Sequence, residues 1–142
     1  MCATACVEEV DGSNVTVKER GRRANFKNPG RSTFQKIQVD KCLVKDGKKA
    51  DWIVRKIGVG SIVVELKGKD LDQACRQLLA TVEHPDCQPW LQEQKALLIV
   101  CSRYPSVDTT VQKVRLAARK RGMRLSVVCD QGDFIFEDVL KG

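Results

Sequence analysis

Histidine is nearly absent from this chain: His84 is the single one, so any histidine-based catalytic triad would have to rest on that residue. It stands beside Pro85 at the end of a helical pattern, where a histidine is ordinarily solvated or structural. No glycine-rich phosphate loop or dinucleotide fingerprint occurs either, which sets aside the common nucleotide-binding chemistries. Long apolar runs are missing too. The longest, residues 96–101, is far short of the roughly 20 residues that a membrane-spanning helix needs.

Cysteine, by contrast, is plentiful, with seven in the chain. The count is odd, and Cys42, Cys75, Cys101 and Cys129 lie within apolar runs, so these four are expected to be small core residues in a reducing, cytoplasmic setting. No apolar leader is seen ahead of them. Cys2, Cys6 and the neighbours His84 and Cys87 lack the close thiol spacing of zinc sites, and zinc is not expected. With 142 residues and 42% apolar content, residues 1–142 read as one domain able to bury a core unaided, within which residues 1–35 are a poorly defined basic segment. The net charge of +7 and a pI of about 9.2 favour polyanionic partners.

The informative stretch runs from Ala50-Asp51 to Glu65-Leu66-Lys67. Gly58-Val59-Gly60 separates two apolar runs and suits a three-residue hairpin loop. That loop sets Ile57 against Ser61 and Asp51 against Lys67, one pleat from Glu65. Strand side chains alternate in direction, so Trp52, Val54, Ile62, Val64 and Leu66 share one face, while Asp51, Ile53, Val63, Glu65 and Lys67 share the other. A one-residue slip would turn Asp51 away. Two carboxylates and an amine on one face suit a hard cation and a water.

These residues resemble the PD-(D/E)xK nucleases, the superfamily of many restriction endonucleases and archaeal Holliday junction resolvases. The resemblance covers about residues 36–129, with Ala50 where the name-giving proline often stands. It implies that Asp51 and Glu65 hold Mg²⁺ or Mn²⁺ with the Leu66 carbonyl, and that Lys67 orients or polarises the attacking water. It also implies a polar residue, here Gln77, on the following helix to steady a bound water or phosphate. Relatives often add a glutamate from their first helix, for which Glu8, Glu9 and Glu19 are the available residues.

The rest of the chain supplies an α/β frame. Residues 36–44 alternate like a strand, and Asp46-Gly47 suggests a two-residue turn that sets Cys42 opposite Asp51 and Asp40 on its face, as a supporting acid or a plain exposed residue. Asp70 is placed to cap a helix whose Leu71, Ala74, Cys75, Leu78, Leu79 and Val82 form an apolar stripe. Residues 96–101 read as a buried strand, reached by a right-handed crossover. Asp108 opens a last helix that Gly122 ends, residues 125–129 give another strand, and Phe134-Ile135-Phe136 a final edge strand. The expected fold is therefore restriction-endonuclease-like: a mixed sheet made of a three-strand meander and parallel crossover strands, flanked by helices.

Two segments concentrate positive charge. Residues 18–36 carry seven basic residues, Arg22 and Arg23 among them, against the single acid Glu19. The last helix and its exit carry Arg119, Lys120 and Arg121 with no acid nearby. Either could track a phosphate backbone or be a solvated surface, the second with cations well placed at a helix C-terminus. The expected function is a metal-dependent endonuclease acting on nucleic acid, with DNA the expected substrate, no membrane partner, and a homodimer or protein partner left open. The alternative is a non-catalytic immunity or accessory protein on the same fold.

Overall fold

The computed structural model describes all residues but 1–2, 20, 68–69, 102–108, 130–131 and 142. A short 3-10 turn, Ala3–Cys6, leads into β1 (Val7–Val10), β2 (Asn14–Glu19), β3 (Arg22–Lys27), β4 (Phe34–Gln38), β5 (Trp52–Lys56) and β6 (Gly60–Lys67). Helix α1 (Leu71–Glu83) and a second 3-10 turn (Pro85–Trp90) return the chain to β7 (Gln94–Cys101). Then follow α2 (Thr109–Lys120), β8 (Arg124–Cys129), the two-residue β9 (Asp133–Phe134) and α3 (Phe136–Lys141).

The main sheet has the order β1-β4-β5-β6-β7-β8. Strands β4, β5 and β6 form an antiparallel meander, and β7 and β8 run parallel to β6. This is the mixed α/β sheet expected from the pattern. Its two faces are both dry. Ile37, Ile53, Val63, Leu97 and Ile99 pack with α1 and α2 on one face, while Val54, Ile62, Val64, Leu66 and Leu98 pack on the other.

What covers that second face is not what the sequence reading expected. Residues 1–35 are not a formless basic arm. Their described residues form β1 at the edge of the main sheet and a β2–β3 hairpin that joins β9 in a separate three-stranded sheet. Val15, Val17, Ala24 and Phe26 alternate inward and are buried, and Gly21 takes the left-handed conformation (φ 81°) that the tight turn requires. The abundance of charge between the apolar positions masked a regular period of two. At the other end of the chain, Phe134 belongs to β9 beside β3 and Phe136 opens α3, so the expected edge strand at residues 134–136 does not form. Phe26 meets Phe134 and Phe136, with ring centroids 5.7 and 5.8 Å apart.

The hairpin between β5 and β6 forms, with its register moved by two. Lys56 pairs with Gly60 and Trp52 with Val64, leaving residues 57–59 as the loop. Gly58 holds the left-handed position (φ 81°), whereas Gly60 lies in the strand. A Cβ at Gly60 would stand 2.7 Å from the Gln94 carbonyl and 2.7 Å from Leu140 Cδ2, so this glycine serves close packing rather than the turn. A shift of two leaves every side chain on its expected face.

The connection from β4 to β5 departs further. β4 ends at Gln38, which pairs with Trp52, and the expected two-residue turn at Asp46-Gly47 is absent. Residues 39–51 instead form an irregular segment in which Cys42 N and Val44 N both donate to Val39 O. Lys41 has a left-handed φ of 66°. Val39, Val44 and Ala50 are buried beside α1, so the apolar alternation came from a packed loop. Cys42 is not a free core thiol: it is bonded to Cys6, with the Cα atoms 5.7 Å apart. Cys75 and Cys101 are free and buried, and Cys129 is free and partly buried. Among the described residues no helix is long and apolar enough to cross a membrane.

Candidate functional site

Asp51 stands one residue before β5, and extending the Trp52↔Val64 register by one sets it directly opposite Glu65. Alternation carries Glu65 to the face of Ile53 and Val63, beneath the helices. Both acids are buried, Asp51 to 8% exposure and Glu65 to 2%. Register and alternation, continued by one residue past β5, set the two acids across from each other. The expectation that Asp51 opposes Lys67 is corrected to Glu65 by the two-residue shift.

Asp51 is held from three directions. Its Oδ2 accepts a hydrogen bond from the backbone N–H of Leu66 at 2.9 Å, and its carbonyl accepts from Val39 N at 3.0 Å and Asp40 N at 3.4 Å. The preceding residue, Ala50, donates its N–H to Thr81 Oγ1 at 2.7 Å, and that hydroxyl donates onward to the Gln77 carbonyl at 2.8 Å. Thr81 is fully buried. It fixes the acid's approach to the sheet, and sequence reading missed it. A threonine among the buried positions of an otherwise apolar helix stripe was the available signal.

The Leu66 N–H points towards Asp51, and in an extended strand a residue's N–H and C=O leave the backbone on the same side. The Leu66 carbonyl consequently faces the Asp51 side, as the proposed third oxygen donor requires. Gln77 lies on α1 one turn before Thr81, with its Oε1 buried and without a hydrogen bond among the described residues. The backbone of Lys67 ends β6 opposite Cys101; its side chain lies outside the described residues, as does Asp108.

Asp40 is drawn to the site through its backbone, whereas its carboxylate lies 3.8 Å from Lys49 Nζ. The N-terminal glutamates stay away. Glu8 pairs with Lys36 at 3.7 Å and Glu9 approaches Gln35, both on the β1 edge. His84 caps the second 3-10 turn by accepting from Asp86 N at 3.1 Å. Burial pushes the thiol of Cys87 up to about 12, so it is neither a thiolate nor a ready metal ligand. Among the described residues no group of three or more His, Cys, Asp or Glu is placed to hold a metal ion.

The two basic segments part company. Trp52 Nε1 donates to the Lys18 carbonyl at 3.2 Å, and Lys18 pairs with Arg23, so the β2–β3 turn with Arg22 and Arg23 lies at the acids' end of the sheet, across its other face. Arg23 is 3.6 Å from Asp133. Arg119 instead shares a groove with Gln94 and Arg124 at the beginnings of β7 and β8. Glu65 pairs with Ile99, five residues beyond Gln94, which is about 16 Å along the strand. Lys120 is exposed, and Arg121 is 2.7 Å from Glu83.

Comparison with protein-family models, with curated proteins and with solved structures finds no match to this chain.

Proposed function

We propose that the chain is a metal-dependent nuclease of the PD-(D/E)xK kind that hydrolyses phosphodiester bonds in nucleic acid, with DNA the first substrate to try. The observation that carries this reading is the opposition of Asp51 and Glu65 across β5 and β6, with the Leu66 carbonyl on the same side. The donor set is all hard oxygen, which fits Mg²⁺ or Mn²⁺ in kind, and Mg²⁺ keeps several waters of its own, so two carboxylates are enough. When bound, such an ion supplies charge neutralisation at the scissile phosphate and acidifies a water. Asp51 and Glu65 would hold the ion, the Leu66 N–H fixes the rotamer of Asp51, Lys67 would orient the water, and Gln77 would offer Oε1 to it. Arg22 and Arg23 lie at that end of the sheet but across its other face, so they would meet only a nucleic-acid backbone that wraps round the end of the sheet.

The purified protein is expected to cut at least one of plasmid, single-stranded DNA and RNA with Mg²⁺ or Mn²⁺, and to stop when a chelator is added. Glu65→Ala and Lys67→Ala should stay folded and lose activity by about 10²–10³-fold, the scale of losing one transition-state contact. Cleavage that persists in Glu65→Ala, or no cleavage of any substrate, would defeat the reading. A second reading, a non-catalytic interaction protein on this fold in a reducing compartment or outside it, is favoured by one observation: Asp51 is buried and serves as a joint between two strands.

A further inference from the structure

The outer side of the main sheet at β8 is an open groove. β8 closes the strand order, and a cavity of about 760 Å³ is lined by every residue from 122 to 128. Arg115 and Arg119 of α2 stand on one wall, Leu140 and Lys141 of α3 on the other, and Arg124 at the mouth. A second cavity of about 430 Å³ shares Ser126 and Val128 and continues the groove to Ile135, which is 54% exposed.

The charge along the first cavity is one-sided, with no acid in its lining, whereas the second carries Asp133 and Asp138; the glutamates nearest the first are spent elsewhere. Glu83 pairs with Arg121, Glu93 with Arg55 and Glu137 with Lys56. Arg115, Arg119, Arg124 and Lys141 make no ion pair among the described residues. An open strand edge offers unpaired backbone N–H and C=O groups in a row, and here the row lies between apolar and cationic walls; the one aromatic ring in the two linings, Phe134, is only 7% exposed, too buried for a base to stack on. That combination fits a polypeptide strand better than a nucleic-acid strand, whose sequence-independent binding relies on aromatic platforms as well as cations. A second copy of this chain would bring a net charge of +7 and another basic edge, which opposes self-pairing.

We infer that β8 is a docking edge for an extended, acidic segment of a partner protein, which adds a strand to the sheet and sets carboxylates against Arg115, Arg119, Arg124 and Lys141. The six residues of β8 span about 20 Å, so a partner segment of similar length fills the edge. The ladder would supply affinity, and the cations direction and selectivity.

The test uses the full chain and an eight-residue peptide of alternating Glu and Val. Titrated into isotopically labelled protein, the peptide is expected to shift the amide signals of β8 and slow their hydrogen exchange. Arg115→Glu with Arg119→Glu should weaken binding by at least about tenfold with an unchanged thermal midpoint, because opposed charges become like. The same peptide N-methylated at alternate amides cannot complete a ladder and should not bind along its blocked edge. Absence of peptide binding at millimolar concentration would overturn the inference. So would equal binding by the N-methylated peptides at both registers, tighter binding at β8 by an oligonucleotide of the same charge, or a dimer whose contacts protect β8 without any peptide.

Discussion

The two edges of the main sheet are built on opposite plans. β1 is only four residues long, carries the exposed acids Glu8 and Glu9, and is tied down by the Cys6–Cys42 bond immediately ahead of it. β8 is longer, lined by cations and, among the described residues, without a strand partner on its outer side. Short, charged, anchored edges resist pairing with other chains, whereas long open ones invite it. The acid pair lies midway between them, on β5 and β6, and the contacts that position Asp51 come from both directions: Val39 and Asp40 from the β4 side, Leu66 from β6, and Thr81 of α1 acting through Ala50. The disulfide thus stands at one edge, the cations without an ion pair at the other, and the acid pair at the centre.

The largest expected effect is on the closed edge. The Cys6–Cys42 bond spans a sequence separation of 36, and a loop of that size should contribute about 4 kcal/mol by restricting the unfolded chain. Urea unfolding of Cys6→Ser with Cys42→Ser should show a loss approaching that size. No loss under oxidising conditions would mean that the closed edge owes nothing to the bond.

Thr81→Val keeps the shape of the side chain and removes the acceptor of the buried Ala50 N–H. It should cost about 1–3 kcal/mol, the usual penalty for an orphaned buried donor, and should reduce any cleavage activity along with it. A variant with lowered stability and intact activity would separate the fold's use of Thr81 from the site's.

On the open side, replacing Arg119, Lys120 and Arg121 with Ala should change stability by less than about 0.5 kcal/mol. Because these residues lie about five strand positions from the register of Glu65, the salt dependence of nucleic-acid binding should also remain nearly as in the parent chain. A strongly flattened salt slope in the triple variant would instead make the open edge part of the nucleic-acid surface.

The smallest effect concerns Glu137, whose carboxyl is held below the usual glutamate range chiefly by the hydrogen bond from the Lys56 side chain. A depressed folded value means that the group stabilises above its unfolded value, about 4.3, and that this contribution fades as pH falls through the folded value. Unfolding midpoints of the parent and Glu137→Gln should therefore differ slightly at neutral pH and converge as the pH falls through the depressed folded value. A gap that widened on acidification would reverse the sign and refute the assignment.

Much of the frame was legible because strand alternation and helix periodicity report burial directly. Ile53, Val63, Val54 and Ile62 sorted to the right faces, α1 began at its Asp70 cap with the side chain accepting from Gln73 N at 3.0 Å, and α2 ended at Gly122 with φ 75°. Registers were less legible, because Gly58 and Gly60 look alike in sequence although one frees the backbone and the other makes room for Leu140. The buried loop at residues 39–51 and the Cys6–Cys42 bond depend on contacts between distant segments that no local period encodes. Of the site, the acids' shared face was readable, and their support by Thr81 was not. The separation of the two basic segments was hidden because charge alone does not say to which end of a sheet it will be carried.

The small sheet has a further consequence, for the order in which the molecule can assemble. β3 completes its pairing with β9, and Asn25 Nδ2 reaches Asp133 Oδ1 at 3.2 Å across a separation of 108 residues. Emerging from a ribosome, the β2–β3 hairpin must therefore wait, with Phe26 exposed, until Phe134 and Phe136 have been made. Contacts of such long range slow the search for the native state, so the second face of the main sheet is expected to be among the last surfaces to close.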